Sequence, residues 1–150
     1  MNIVLLAGLA GCTKVDDPFV DRVVAPVLVV IDNATGDGGG QTGEPVVSEK
    51  VSGPVTLGVR IYELDKSGIL NNAVGIDSIP ITLLAIKLTT RAGATIGTLT
   101  TDGTGKASIA KTWAELGITA PKAGSTVSLT WTGEYKGQAF SRLSRVQAIN

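Results

Sequence analysis

Any chemistry in this chain has to be done without histidine and with a single cysteine, Cys12. The lack of His removes Ser-His-Asp and Cys-His catalysis and every imidazole-bound zinc or haem. One Cys allows no internal disulfide and no thiolate cluster. Oxygen chemistry is left: a carboxylate pair, an oxygen-ligated cation, or a Ser/Lys pair. Glu63, Asp65 and Asp77 could supply a glycosidase-type pair, whose chemistry turns on the separation of the two carboxylates. They read instead as solvated strand ends. Asp32, Asn33 and Asp37 could offer oxygens to Ca²⁺, but their spacing is not that of an EF-hand and no Glu stands at the twelfth position. Turn chemistry explains Asp and Asn there equally well. The glycine-rich run 36–43 lacks the Gly-Lys-Ser/Thr ending of a phosphate loop, and no helix follows it. No catalytic residue, metal site or cofactor is expected, and the chain reads as non-enzymatic.

Aromatic side chains are the other source of recognition. Trp113, Trp131, Tyr62 and Tyr135 are the large amphipathic ones. A sugar platform needs such rings exposed on one surface. Trp131 shares its face with Val127 and Leu129 and belongs to the core. Tyr62 falls on the face opposite Ile61, and Trp113 follows a strand and reads either as a cap on the sandwich or as an exposed ring, so these two are the candidate ligand-binding residues. A carbohydrate- or small-ligand-binding module is the alternative function they would support.

The front of the chain carries the most specific pattern. Ile3 to Gly11 is an apolar run ending in small residues, followed by Cys12. Its length suits the core of a signal peptide and is too short to cross a bilayer permanently. Leu9-Ala10-Gly11-Cys12 resembles the lipobox of bacterial lipoproteins. That resemblance implies loss of residues 1–11, a lipid on Cys12, and a cell-surface or outer-membrane location through the lipid anchor. The polar, acidic stretch after Cys12, with Asp16 and Asp17, is similar to a short export signal of such proteins. It reads equally as a solvated tether over 12–21.

Positioning falls to the remaining residues, 22–150. Of the 150 residues, 43% are hydrophobic and 17% charged, which suits one globular domain with a real core. Thirteen basic residues balance thirteen acidic ones, and no basic stripe stands out, so nucleic acid is not an expected partner. Val55-Leu57-Val59-Ile61 and Val127-Leu129-Trp131 alternate as half-buried strands do. Further strands are expected over 23–31, 81–90, 94–101, 106–112 and 138–149. Residues 65–79 read as an irregular connection, and Trp113 to Gly117 as one helical turn ended by glycine. About seven strands with one core face each must stack as an all-β, antiparallel two-sheet sandwich, with a closed barrel as the alternative. The apolar run 23–31, with few protective charges, is an edge that could take a partner strand from another protein.

Thr98-Leu99-Thr100-Thr101-Asp102-Gly103-Thr104-Gly105-Lys106-Ala107-Ser108-Ile109 resembles a recurring stretch of bacterial immunoglobulin-like and transthyretin-like surface domains. The likeness extends over about residues 53–149. It implies that Asp102 to Gly105 is a hairpin joining two strands of the sandwich. Such domains act as spacers, stalks and accessory modules, so the resemblance implies a fold and a setting rather than one activity.

Overall fold

The computed structural model describes residues 26–35 and 44–150. Ten strands follow in chain order: β1 (Leu28–Ile31), β2 (Ala34–Thr35), β3 (Val46–Lys50), β4 (Val55–Asp65), β5 (Asp77–Pro80), β6 (Ala85–Thr90), β7 (Thr95–Thr100), β8 (Lys106–Lys111), β9 (Thr126–Tyr135) and β10 (Gln138–Ile149). They build two sheets, stacked as the expected all-β sandwich and not closed as a barrel.

The smaller sheet is organised on β4. Strand β1 lies along one edge of it, with Leu28 opposite Tyr62 and Ile31 opposite Val59. The other edge is shared end to end. β8 covers Val55 to Arg60, and β5 covers Tyr62 to Asp65. Ile61 bridges the junction: its N–H donates to the Gly105 carbonyl at 2.9 Å and its carbonyl accepts from the Ile81 N–H at 3.0 Å. The larger sheet runs β2-β3-β10-β9-β6-β7.

Alternation explains why these segments fold this way. Val55, Leu57, Val59 and Ile61 are 0–1% exposed and point from β4 into the sandwich. Val127, Leu129 and Trp131 meet them from β9, with Ile86, Leu88, Val146 and Ala148 alongside. Each such side chain contributes about 1.5–3 kcal/mol on burial. The Trp131 indole N–H would be costly in this apolar setting if unpaired, and it donates to Ser144 Oγ at 2.9 Å.

The structure departs from the sequence expectation in particular places. Seven expected strands become ten, because β2, β3 and β5 are added. β5 arises within the stretch expected to be irregular, and all four of its residues are exposed, so no burial alternation marks it. β3 pairs with β10 in parallel, Val46 opposite Arg145 through Lys50 opposite Ile149, within an otherwise antiparallel fold. Asp102 to Gly105 is not a hairpin: β7 pairs with β6 and β8 with β4, so this turn is a corner between the two sheets. It is still a turn, held by Asp102. Asp102 Oδ1 accepts from the N–H of Thr104 at 2.8 Å and of Lys106 at 3.1 Å. Gly105 has φ 74°, and a Cβ there would sit 2.6 Å from the Ile61 carbonyl oxygen, so glycine is required twice over.

The segment after β8 closes one end of the sandwich. Thr112 Oγ1 accepts from the Glu115 N–H at 3.2 Å, and Glu115 Oε2 accepts from the Thr112 N–H at 2.8 Å. This reciprocal pair is a capping box on a single turn. The turn ends at Gly117, φ 91°, with Ile118 N–H donating to the Trp113 carbonyl at 2.8 Å. Trp113 and Leu116, each 4% exposed, plug into the core.

Candidate interaction surface

The two candidate aromatics fare differently. Trp113 is a core residue: it is buried, and its indole N–H donates to the Lys50 carbonyl at 3.1 Å. It presents no face to a ligand, which corrects the sequence expectation. Its position just after a strand carries no alternation from which burial could be read. Tyr62 is half-buried on the outer face of β4, flanked across the sheet by Leu28 and Pro80. Trp131 is buried, and Tyr135 donates its hydroxyl to Glu63 Oε2 at 2.7 Å. No row of open rings forms among the described residues. Cys12, the leader, the tether and Asp37 lie outside the described residues.

The acidic residues are held by partners. Glu63 takes the Tyr135 hydroxyl and, at 2.5 Å, Lys136 Nζ, whose ammonium also stands 5.1 Å over the Tyr135 ring. The hydrogen bond from Lys136, then that from Tyr135, hold the Glu63 carboxyl below its ordinary range. A general acid needs the opposite shift. Asp65 faces Asp77 across the β4–β5 pair. Its own carboxyl is lowered by the Ser67 backbone N–H, which donates at 2.8 Å. Asp32 is buried against Gly58, where a Cβ would come within 3.2 Å of it. Arg60 Nε stands 2.7 Å from Oδ1 and Lys106 Nζ 3.2 Å from Oδ2. Their angles make them ion pairs rather than aligned hydrogen bonds. Asp32, and after it Tyr62, raises the Arg60 guanidinium further. With two cations already on it, Asp32 has the environment of an ion-pair partner and not of a calcium ligand. Among the described residues no group of three or more His, Cys, Asp or Glu gathers to hold a metal.

Two open features remain. The first is an edge. Among the described residues β7 ends the larger sheet, paired only with β6. Its sequence, Thr-Ile-Gly-Thr-Leu-Thr, contains no charge and no proline. Proteins usually block such an edge with Lys, Pro or extreme shortness. β2 is two residues long, and β5 carries Asp77 and Pro80. β1, the other uncharged edge, is four residues and matches the end of the apolar run 23–31 expected to lie at an edge. β7 is the longest strand of this kind.

The second feature is apolar. The connection from β4 to β5 exposes Ile69 (55%), Leu70 (98%), Val74 (64%) and Ile76 (48%), continued by Ile79 on β5. Single exposed aliphatics are ordinary, but four in one loop are not. In the sequence, ten consecutive uncharged residues, 67–76, include four large aliphatics without helical or strand periodicity, a pattern that does not say which way they point. No helix among the described residues is long and apolar enough to cross a membrane.

No protein-family model matches the chain, and no curated protein or solved structure is similar enough to count as a match.

Proposed function

We propose that this chain is a non-enzymatic, lipid-anchored module of the cell surface, held to the outer membrane through Cys12, that binds a protein partner by strand addition along β7. The observation that carries the reading is the edge of β7, six uncharged residues whose backbone is paired on one side only among the described residues. Strand addition supplies affinity from main-chain hydrogen bonds, and alternate side chains supply choice of partner. The anchoring half is supported by the sequence Leu9-Ala10-Gly11-Cys12 behind an apolar run. Lipidation with more than one acyl chain is a sufficient anchor, at about 0.8 kcal/mol per buried methylene.

Each half has its own test. Intact mass of the chain isolated from membranes is expected to show loss of residues 1–11 and an acylated Cys12. An unmodified Cys12 in the mature chain refutes the anchor. Chemical crosslinking in intact cells, followed by solubilisation, is expected to trap a defined complex. Thr98→Lys with Thr100→Lys should abolish it, because both residues are exposed and charges on an edge oppose pairing. An unchanged complex from that variant refutes the β7 interface.

A further inference from the structure

We infer that the loop between β4 and β5, residues 66–76, is a second membrane contact, and that Ile69, Leu70, Val74 and Ile76 enter the surface of the bilayer to which Cys12 ties the chain. The inference rests on the lipid-anchored reading above and extends it to the domain itself.

Three observations converge on a lipid surface. The first is where the chain enters the fold. β1 runs antiparallel to β4, and Leu28 at its start lies opposite Tyr62, close to the end of β4 at Asp65. The chain therefore enters the smaller sheet at the pole from which this loop projects. Only thirteen residues separate Cys12 from Pro26. An anchor at Cys12 therefore joins the fold at this pole, and not at the Trp113 end.

The second observation is chemical. Gly68 to Ile76 contains no charged residue, while Lys66 stands exposed at the base, where a headgroup phosphate would lie. Asp65 and Asp77 stay at the strand ends and not at the tip.

The third is the backbone. A loop at the interfacial edge of a bilayer gains from pairing N–H groups internally. Here Ile69 donates to the Lys66 carbonyl, Asn71 to Gly68, and Val74 and Gly75 both to Asn71, at 2.8–3.1 Å. The Ala73 N–H donates to Asn71 Oδ1 at 3.0 Å. The loop is closed on itself tightly enough that a Cβ on Gly68 would come 2.4 Å from Val74 Cγ1. It holds its aliphatic side chains outward by its own bonds and needs no partner to shape it. Protein interfaces concentrate their energy in aromatic and Arg anchors seated in pockets, and this loop has neither Trp, Tyr nor Arg. A fluid hydrocarbon surface needs only exposed aliphatic area.

The test places an environment-sensitive dye at the tip. A lipidated Cys12 has no free thiol, so Leu70→Cys in the full chain offers one labelling site. Leu70 is almost wholly exposed, and the substitution leaves the core untouched. Ala123→Cys, exposed at the opposite pole, is the control. The labelled chains are reconstituted into phosphatidylethanolamine–phosphatidylglycerol vesicles containing nitroxide-labelled acyl chains. Strong quenching at position 70 and none at 123 is the expected result. Equal, weak quenching at both positions on vesicle-bound protein overturns the inference. So does a dye at 70 that is shielded only when a protein partner is present, which would make the loop a protein contact. The mass of Cys12 decides the anchor separately. If Cys12 proves unmodified, Cys12→Ser in the Leu70→Cys background is added to the same vesicles. Quenching at 70 then upholds the loop contact without the anchor, and its absence overturns it.

Discussion

The two ends of β4 carry connections of similar chemistry and opposite use. Thr112 to Ile118, beside the start of β4, and Lys66 to Ile76, beyond its end, are both held by local backbone hydrogen bonds. Both carry large apolar side chains. In the first, Trp113 and Leu116 are 4% exposed and close the core. In the second, Leu70 is 98% exposed and Val74 64%. Local hydrogen bonding shapes a turn, but it does not decide where the side chains go. A turn that faces the space between two sheets has a cavity to fill. One that continues past the end of a sheet has none, and its apolar area stays in water until something outside covers it.

The largest expected effect separates the two ends directly. Trp113→Ala should destabilise the fold by about 3–5 kcal/mol, through lost burial and the cavity left behind. Leu70→Ser should change stability by no more than about 0.5 kcal/mol. Urea denaturation of the two variants checks both. A large loss from Leu70→Ser would mean that the loop serves the fold after all.

A smaller contrast concerns the polar groups that hold each turn. Thr112→Ala removes a capping side chain that supports a buried plug, and should cost about 1 kcal/mol. Asn71→Ala removes a comparable bond, Ala73 N–H to Asn71 Oδ1, from the exposed loop. It should leave global unfolding nearly unchanged, while raising local amide exchange over the loop. Equal global losses would erase the distinction between the two ends.

The smallest effect depends on pH. Glu115 is held to about 2 from an ordinary 4.5, first by the Thr112 backbone N–H, then by Lys111 and the Thr112 hydroxyl. Because folding lowers this pKa, the ionised carboxylate favours the folded state above its ordinary value. That contribution is lost as pH falls from about 4.5 towards about 2. Glu115→Gln should flatten part of the acid limb of a stability–pH curve and leave the neutral region little altered. An unchanged acid limb would show that the capping box is not maintained in solution.

The sequence made the sandwich legible where one face of a strand is buried and the other wet. β4 and β9 are the cases, because Val55-Leu57-Val59-Ile61 and Val127-Leu129-Trp131 alternate without interruption. β5 escaped because exposure of all four residues leaves nothing to alternate. The corner at Asp102 to Gly105 was legible as a turn but not as a change of sheet. Asp and Gly dictate local conformation, whereas the choice of partner strand depends on residues far along the chain. The same limit hid the parallel pairing of β3 with β10. Trp113 stays open in the sequence between a cap on the sandwich and an exposed ring, because a single side chain outside a strand has no period to reveal its direction. The exposed loop drew no expectation because an irregular stretch with aliphatic residues reads alike whether it packs inward or projects.

Hydrogen–deuterium exchange of the full, membrane-derived chain, with and without phosphatidylethanolamine–phosphatidylglycerol vesicles, compares both ends of β4 in one measurement. Slowed exchange over residues 66–80 on vesicles, with residues 112–118 unaffected, is the outcome expected of an outward-facing pole that meets lipid. Exchange over 66–80 that stays the same on vesicle-bound protein would contradict it.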